Sequence, residues 1–343
     1  MPSLSRISLA VAIALVLVES HVAIAAEPRV ELEIALEGNS IPAEARSWTE
    51  MLTQAGFSSV RIRGGQGDSP SLEASGTPQS PRYRVVGVLT PSNQLLVPKG
   101  RFGLNDRSGV EQWLKKLRDF GEEGISIKPV AFGLLPRQLV AVHEALAVRV
   151  EKSTLGRPSR EVAKQIADRL TYKFIADGSA QRALASDDAV ADELQGLTCG
   201  TALAAILRPL GLVMFPERNG PDLRLRLLAA RDAKEFWPVG WPPKGNPSET
   251  VPEFFKFLKV EISDIPLTEA MLAIADRLKT PLLVDHNSLA RDRVDLQTKV
   301  NFPATNIYYA RALDRLLFQA KLKYEIRVDE AEKPFLWITT LKQ

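Results

Sequence analysis

The fold is decided by the stretch "VEISDIPLTEAMLAIADRLKTPLLVD", which runs from Val260 to Asp285. Its first residues alternate between apolar and polar side chains, as in a strand with one buried face. Pro266 then suits the first turn of a helix, where its missing N–H costs no hydrogen bond. The next apolar residues recur at the spacing of one helical face, namely Leu267, Ala270, Met271, Ile274, Ala275 and Leu278. The stretch therefore predicts a strand, an amphipathic helix and a second short strand, "PLLVD".

Part of this stretch is repeated earlier in the chain. The pentapeptide "IADRL" stands at Ile166–Leu170 and again at Ile274–Leu278, an offset of 274 − 166 = 108 positions. Farther on, "ALAAILRPLGLVMF" (Ala202–Phe215) matches "ALDRLLFQAKLKYE" (Ala312–Glu325) at an offset of 312 − 202 = 110 positions. Small changes of offset are what loop insertions produce between copies of a repeated unit. The pattern indicates a duplicated module.

We place the two modules at 145–231 and 256–343 and predict the order β-α-β-β-α-β-β for each. In the first module, the alternating stretch Leu146–Val150 supplies the opening strand. On the second helix, Cys199 takes the place that Tyr309 has in the second module, on the stripe that faces the core. Cys199 is the only cysteine, so the chain has no internal disulfide. Its position favours a buried, unreactive thiol over redox chemistry or pairing with another chain.

The second module resembles the short N-terminal domain that secretins and TonB-dependent receptors share. The pattern combines "PLTEAM" after a strand with "ALDRLLFQAKLKY" before the closing hairpin. The match is carried by Pro266, Leu267, Glu269, Ala270, Ala312, Leu313, Leu316, Leu317, Leu322 and Tyr324. The first module fits the pattern more loosely, through Pro158, Glu161, Ala202, Leu203, Ile206, Leu207 and Leu212.

The resemblance implies two small extracytoplasmic domains, each with two helices packed on small sheets. In the family, this domain serves protein–protein contact, signalling or pore assembly in the periplasm and is not catalytic. Family members continue into an outer-membrane barrel or a secretin pore, whereas this chain stops at Gln343. We therefore expect neither a pore nor a receptor function.

The first residues have the features of a secretory signal peptide, which we place at 1–26. Arg6 precedes the apolar run Ile7–Val18, and the small residues Ala23–Ala25 follow at the spacing that signal peptidase requires. The mature chain would begin at Ala26 or Glu27, in the periplasm or outside the cell. The alternative is an uncleaved N-terminal anchor. Because no later segment approaches the length of a membrane span, we predict no integral membrane segment in the mature chain.

The region 27–144 differs from the modules and predicts a separate small α+β domain. Alternating residues in "RVELEIAL" (Arg29–Leu36) and the helical spacing in "SGVEQWLKKLRDFG" (Ser108–Gly121) support this assignment. Its Gly-, Ser- and Pro-rich stretch at 64–82 predicts a flexible loop. The glycines lack the Lys-Ser/Thr signature of a phosphate-binding loop. The whole chain is therefore predicted to be α+β, with two tandem modules after this domain.

The segment 232–255 between the modules is rich in proline and aromatic residues, including Trp237 and Trp241. Its prolines favour an extended, stiff backbone. The aromatic side chains allow two interpretations. They pack on a neighbouring module and set the angle between the modules, or they form a surface that binds a peptide or glycan. Under the second interpretation, Trp237 and Trp241 are the candidate partner-binding residues.

Nothing in the sequence points to catalysis, a metal or a cofactor. The balance of 44 basic and 41 acidic residues argues against nucleic acid as a partner. His143 and His286 lie in different regions and have no metal-ligand spacing. "VDHNS" brings Asp285, His286 and Ser288 together, but adjacent residues rarely form a catalytic triad, so a polar-capped turn is favoured.

We therefore predict an exported, non-enzymatic interaction or scaffold protein of the cell envelope. Its partner would be an envelope protein or assembly, and the chain could also form homo-oligomers. The alternative is an exported hydrolase with a site in the N-terminal region.

Overall fold

A computed structural model describes residues 27–37, 45–65, 67–77, 80–186, 188–219 and 222–341. The predicted signal peptide at 1–26 lies outside the described residues. Helices and strands both occur along the chain, so the α+β class is confirmed. The chain divides into two compact units, the first ending at Val110 and the second running from Glu111 to Gln343. No helix in the described ranges is long and apolar enough to cross a membrane.

The first unit is built on a mixed sheet. Its elements are β1 (Arg29–Glu37), α1 (Ala45–Gln54), β2 (Ser59–Gly65), β3 (Ser71–Thr77), β4 (Ser80–Leu89), β5 (Gln94–Val97) and β6 (Gly100–Gly103). The strand order is β2-β1-β4-β5-β6, with β3 also paired to β4, and β1 is parallel to both of its neighbours. Helix α1 buries Trp48 and Leu52, and the indole N–H of Trp48 donates to Asn93 Oδ1 at 2.7 Å.

Part of the loop predicted at 64–82 is a strand. Residues of β3 pair with β4 from Ser71 opposite Val86 to Thr77 opposite Ser80, in an antiparallel hairpin. All of its side chains except the half-buried Leu72 are exposed. The loop prediction was wrong here because backbone pairing holds this strand, and an exposed strand shows no apolar alternation.

The second unit is entered through α2 (Arg107–Ser126), which crosses the border between the units and whose helical geometry is interrupted at Gly121, where φ is 64°. Its first half continues with α3 (Pro136–Leu146), α4 (Ser159–Ala167), β7 (Lys173–Ala176), α5 (Gly178–Leu184), α6 (Cys199–Leu207), β8 (Leu212–Asn219) and β9 (Asp222–Ala229). The sheet has the order β7-β9-β8, with β7 parallel and β8 antiparallel to β9.

The predicted opening strand at Leu146–Val150 is not formed. Leu146 instead ends α3, and the residues after it pair with the segment before α6 through a few bonds, such as Val150 N–H to Leu197 O at 2.8 Å. The predicted domain border at 144 also falls inside α3. Val142 and Leu146 are fully buried in the same core as Cys199, so packing assigns this helix to the first half of the second unit.

The connecting segment contains two helical turns instead of a fully extended backbone. These are α7 (Pro247–Thr250) and a 3-10 turn at Pro252–Phe255. Both begin with a proline, because the first residue of a helical turn needs no N–H donor.

The second half contains β10 (Phe257–Pro266), α8 (Leu267–Leu278), β11 (Leu282–Val284), α9 (His286–Asp292), β12 (Lys299–Tyr308), α10 (Tyr309–Gln319), β13 (Leu322–Val328) and β14 (Pro334–Thr340). Strands β10 and β12 form a two-stranded antiparallel sheet. The other sheet has the order β11-β14-β13, with β11 parallel and β13 antiparallel to β14. Helices α8 and α10 place their apolar stripes in the core of this half, where Ile274 and Leu313 are buried.

Strand β14 is buried on both faces. Leu336 and Ile338 belong to the core of the second half, whereas Phe335 and Trp337 belong to the core of the first half. Because successive side chains of a strand point to opposite faces, the run "FLWI" joins the two cores through one sheet.

Candidate functional site

Trp237 and Trp241 lie where the two halves of the second unit meet. Trp237 is only 2% exposed, and its ring stands edge-on to that of Trp241 with the centroids 5.2 Å apart. The backbone N–H of Trp237 donates to Met214 O at 2.7 Å, and Trp241 and Val328 exchange two backbone hydrogen bonds of 2.8 and 2.9 Å. The segment is therefore fastened to β8 on one side and to β13 on the other. Of the two interpretations of these tryptophans, the observed contacts correspond to packing.

A buried carboxylate is the centre of the contact between the halves. Glu330 lies in the turn between β13 and β14, and only 6% of its surface is exposed. Its Oε1 accepts from the indole N–H of Trp237 at 2.6 Å. Its Oε2 accepts from the hydroxyl of Thr198 and from the backbone N–H and hydroxyl of Thr201, the last two at 3.1 and 2.9 Å.

These contacts place the carboxylate of Glu330 at the N-terminus of α6. The first N–H groups of a helix have no partner within it and carry a partial positive charge. Glu330 therefore satisfies a helix end that belongs to the other half. A Cβ atom at Gly200, in the first turn of α6, would overlap this carboxylate. The carboxylate of Glu330 can lie this close to α6 only because residue 200 is a glycine and has no side chain.

The same turn is held by two further side chains. Asp329 is 1% exposed and accepts from the backbone N–H of Thr198 at 3.2 Å and of Lys333 at 2.8 Å. The ammonium group of Lys333 donates to Gly196 O at 2.9 Å. Residues near the beginning and the end of the turn "DEAEKP", Asp329 and Lys333, thus both form hydrogen bonds with the segment that precedes α6.

A second ionic contact joins α6 to α9. Arg208 donates from Nε and Nη2 to the two carboxylate oxygens of Asp285, at 2.9 and 2.8 Å. Burial acts to raise the pKa of Asp285, but the hydrogen bonds and charge of Arg208 outweigh it and hold that pKa below its ordinary value. Asp285 is therefore an ionised structural partner of Arg208.

The residues of "VDHNS" do not form a catalytic triad. Asp285 is the N-cap of α9, where its side chain accepts from the N–H of Ser288 at 3.3 Å. The hydroxyl of Ser288 donates to the backbone oxygen of Asp285 at 2.9 Å. His286 instead faces Asp192 of the first half, with its Nε2 3.1 Å from Asp192 Oδ2. The sequence predicted a polar-capped turn here, whereas the stretch begins a short helix, α9, whose N-cap is Asp285.

The pair of His286 and Asp192 should make the stability of the second unit depend on pH. The hydrogen bond and charge of Asp192 raise the pKa of His286 above its ordinary value, with a further contribution from Asp285, although burial opposes the shift. A raised pKa in the folded state means that the stabilisation is fully present below about pH 6.5 and is lost as the pH rises through the folded-state pKa. We expect His286→Gln to destabilise the protein more at about pH 5.5 than at about pH 8 in urea denaturation.

The matched variant is Asp192→Asn, which removes the partner of the imidazolium. In the Asp192→Asn background, the cost of His286→Gln should no longer be larger at the lower pH, because burial, which lowers the pKa of His286, then outweighs the charge of Asp285. Equal costs of His286→Gln at the two pH values in the unmodified background would contradict the assignment.

A cleft of about 420 Å³ lies beside these contacts. Trp337 is one of the residues that line it. The guanidinium carbons of Arg208 and Arg327 lie 5.8 and 5.0 Å from the centre of its ring. Arg327 donates to Glu325 Oε2 at 2.7 Å and to Val239 O at 2.9 Å. Both guanidinium groups are thus already paired with carboxylates. This pairing favours a structural contact between the halves over a site that binds an anion.

Cys199 is fully buried at the start of α6, as its place on the apolar stripe predicted. Burial raises the pKa of its thiol to about 11. Because the thiolate is the reactive form, we expect Ellman's reagent to label Cys199 only after denaturation. Rapid labelling of the folded protein at neutral pH would contradict this burial.

An exposed aromatic cluster of Phe257 and Tyr308 lies on the second half and was not predicted from the sequence. Phe257 is 63% exposed and Tyr308 41% exposed; they stand opposite each other on β10 and β12 with ring centroids 4.7 Å apart. Phe255 is nearby in sequence and 39% exposed. The strand periodicity contained the signal, because Leu258 faces the core and its neighbour Phe257 must therefore face outward.

In the part of the chain that the structure describes, no group of three or more His, Cys, Asp or Glu side chains could hold a metal ion. No family model matches the sequence, and comparisons with curated proteins and with solved structures gave no match.

Proposed function

We propose that this chain is an exported, non-enzymatic protein of the cell envelope that binds another protein. Its second unit would consist of two related modules of the type found at the N-termini of secretins and TonB-dependent receptors. The modules would act as a scaffold, with the aromatic cluster of Phe257 and Tyr308 as the contact surface.

The relation between the modules is supported by two features that both halves share. The sheets β7-β9-β8 and β11-β14-β13 have the same strand order and the same strand directions. In each half, the first strand of that sheet leads into a short helix with an aspartate at its N-cap, Asp177 or Asp285. These aspartates are 285 − 177 = 108 positions apart, the offset of the repeated pentapeptide.

The aromatic cluster is the observation that carries the proposal. Large aromatic rings that lie together in water are costly to expose and typically mark a surface for another protein. Tyrosine and phenylalanine supply much contact area with few rotatable bonds, which suits binding. The ionic and aromatic contacts between the halves would hold the second half, which carries this cluster, in a constant position against the first half.

A site-specific photo-crosslinker at position 308 tests the proposal in intact cells. We expect a discrete adduct with one envelope protein, and we expect Phe257→Ser to reduce it strongly. The same crosslinker at Gln165, an exposed position on α4, is the matched control and should give no such adduct. Equal labelling from both positions, or hydrolysis of ester, glycoside or peptide substrates by the purified protein, would contradict the proposal.

Export is tested separately by mass spectrometry of the native protein. The mature N-terminus should be Ala26 or Glu27. Recovery of a chain with intact Met1 from a membrane fraction would point to the uncleaved anchor.

A further inference from the structure

We infer that the outer edge of β10 pairs with the same edge of a second copy of this chain, in an antiparallel arrangement centred on Val260. This inference goes beyond the proposed function, because it concerns the backbone edge of β10 and not the exposed aromatic face. The pairing would join two small sheets into one sheet of four strands, in the order β12-β10-β10-β12.

The sheet of β10 and β12 is incomplete as it stands. Among the described residues, β10 pairs only with β12 and β12 only with β10, so each strand has one open edge. An open edge presents unpaired N–H and C=O groups to any strand that fits.

A bulge beside a proline interrupts β12, whereas β10 has no extra residue from Phe257 to Ile262. Between Val260 and Ile262 the register with β12 advances 262 − 260 = 2 residues on β10 but 305 − 302 = 3 on β12. The extra residue of β12 lies beside Pro303, which has no N–H to donate. Strand β10 keeps its regular geometry from Phe257 to Ile262 and reaches its own irregularity only beyond, at Asp264, where φ is 55°.

The charges of β10 are complementary to themselves in this arrangement. An antiparallel pair centred on Val260 places Lys259 opposite Glu261 of the second copy, and Glu261 opposite Lys259. Both side chains are exposed and so are accessible to a second copy. Opposite charges directly across two strands stabilise their pairing, and like charges weaken it.

The apolar residues match in the same register. Leu258 would stand opposite Ile262 of the second copy on the core side, where Val260 and Ile262 are only half-buried in the single chain. Phe257, which is 63% exposed, would stand opposite Ser263 of the second copy. That strand would cover part of the Phe257 ring. One register therefore pairs the charges and also reduces the exposed apolar surface.

Charge exchange on the mature, full-length chain tests this register by sedimentation equilibrium. We expect the unmodified protein to dimerise reversibly, and we expect Lys259→Glu or Glu261→Lys to weaken dimerisation at least about tenfold, because two attractive pairs become two repulsive ones. The double variant K259E/E261K restores opposite charges and should restore dimerisation. Lys164→Glu, an exposed change on α4, is the control and should leave dimerisation unchanged.

A mixture of the two single variants gives the sharpest result. Lys259→Glu makes positions 259 and 261 both acidic and Glu261→Lys makes both basic, so the mixture should form heterodimers although each variant alone stays mostly monomeric. An unmodified protein that remains monomeric at about millimolar concentration would overturn the inference. Failure of both the double variant and the mixture to dimerise would overturn it as well. If the crosslink from position 308 to an envelope protein persists in either case, the proposed function stands and only the dimer is refuted.

Discussion

Replacing Glu330 with alanine is expected to destabilise the second unit by about 3–5 kcal/mol, because each buried donor left without its acceptor costs about 1–3 kcal/mol. The variant would leave the Trp237 indole, two threonine hydroxyls and a backbone N–H of α6 buried without their acceptor. It would also remove the anion from the positive end of a helix. Urea denaturation followed by tryptophan fluorescence should show the loss, together with a red shift from the newly hydrated Trp237.

The matched control for this change lies two residues away in the same turn. Glu332 is more than half exposed and pairs with Lys244, whose side chain is 88% exposed. Glu332→Ala should change the free energy of unfolding by less than about 1 kcal/mol, because exposed ion pairs contribute little. Glu330→Gln keeps the shape but turns an acceptor into a donor, so it should remain clearly destabilising. Equal effects of the Glu330→Ala and Glu332→Ala changes would refute the role assigned to the buried carboxylate.

Replacing Gly240 with alanine is expected to cost roughly 2–4 kcal/mol, from the left-handed backbone and from overpacking together. Gly240 has φ 66°, and a Cβ atom there would overlap the buried ring of Phe335 and lie 2.9 Å from Val328 O. Phe335 is fully buried in the core that the two halves share, so it cannot move away without opening that core. The midpoint of urea denaturation should fall accordingly.

Gly245 in the same segment provides the comparison for Gly240. The nearest atom to a Cβ at that position is the carboxylate end of Glu249, at 3.1 Å, and this flexible side chain can turn away. Gly245→Ala should therefore change the free energy of unfolding by no more than about 0.5 kcal/mol. If Gly240→Ala lowered the free energy of unfolding no more than Gly245→Ala does, the inference that the segment packs closely against Phe335 of β14 would be refuted.

Much of the second half could be predicted because its signals are local. The stripe that contains Ile274 needs only the helical period to be recognised, and the structure buries that residue. The burial of Cys199 followed from the same kind of stripe. In contrast, β3 was predicted as loop because its partner on β4 supplies the hydrogen bonds and its own side chains stay exposed.

The candidate site was only partly predictable. The aromatic segment drew attention to Trp237, but the sequence could not distinguish packing from partner binding, since both use the same residue types. Glu330 gave no signal at all. A glutamate in a polar turn has every mark of a solvated residue, and its burial depends on a helix end 330 − 201 = 129 positions away.

By itself, the sequence determined the apolar stripes of α8 and α10 and that the chain is α+β, because the spacing of apolar side chains acts within a few turns or strands. The tertiary structure alone decided that "FLWI" in β14 serves two cores, and that the turn carrying Glu330 caps α6 of the other half. The physical reason is that burial and hydrogen-bond satisfaction are properties of the surroundings. A carboxylate becomes a structural centre only when folding brings donors to it and excludes water.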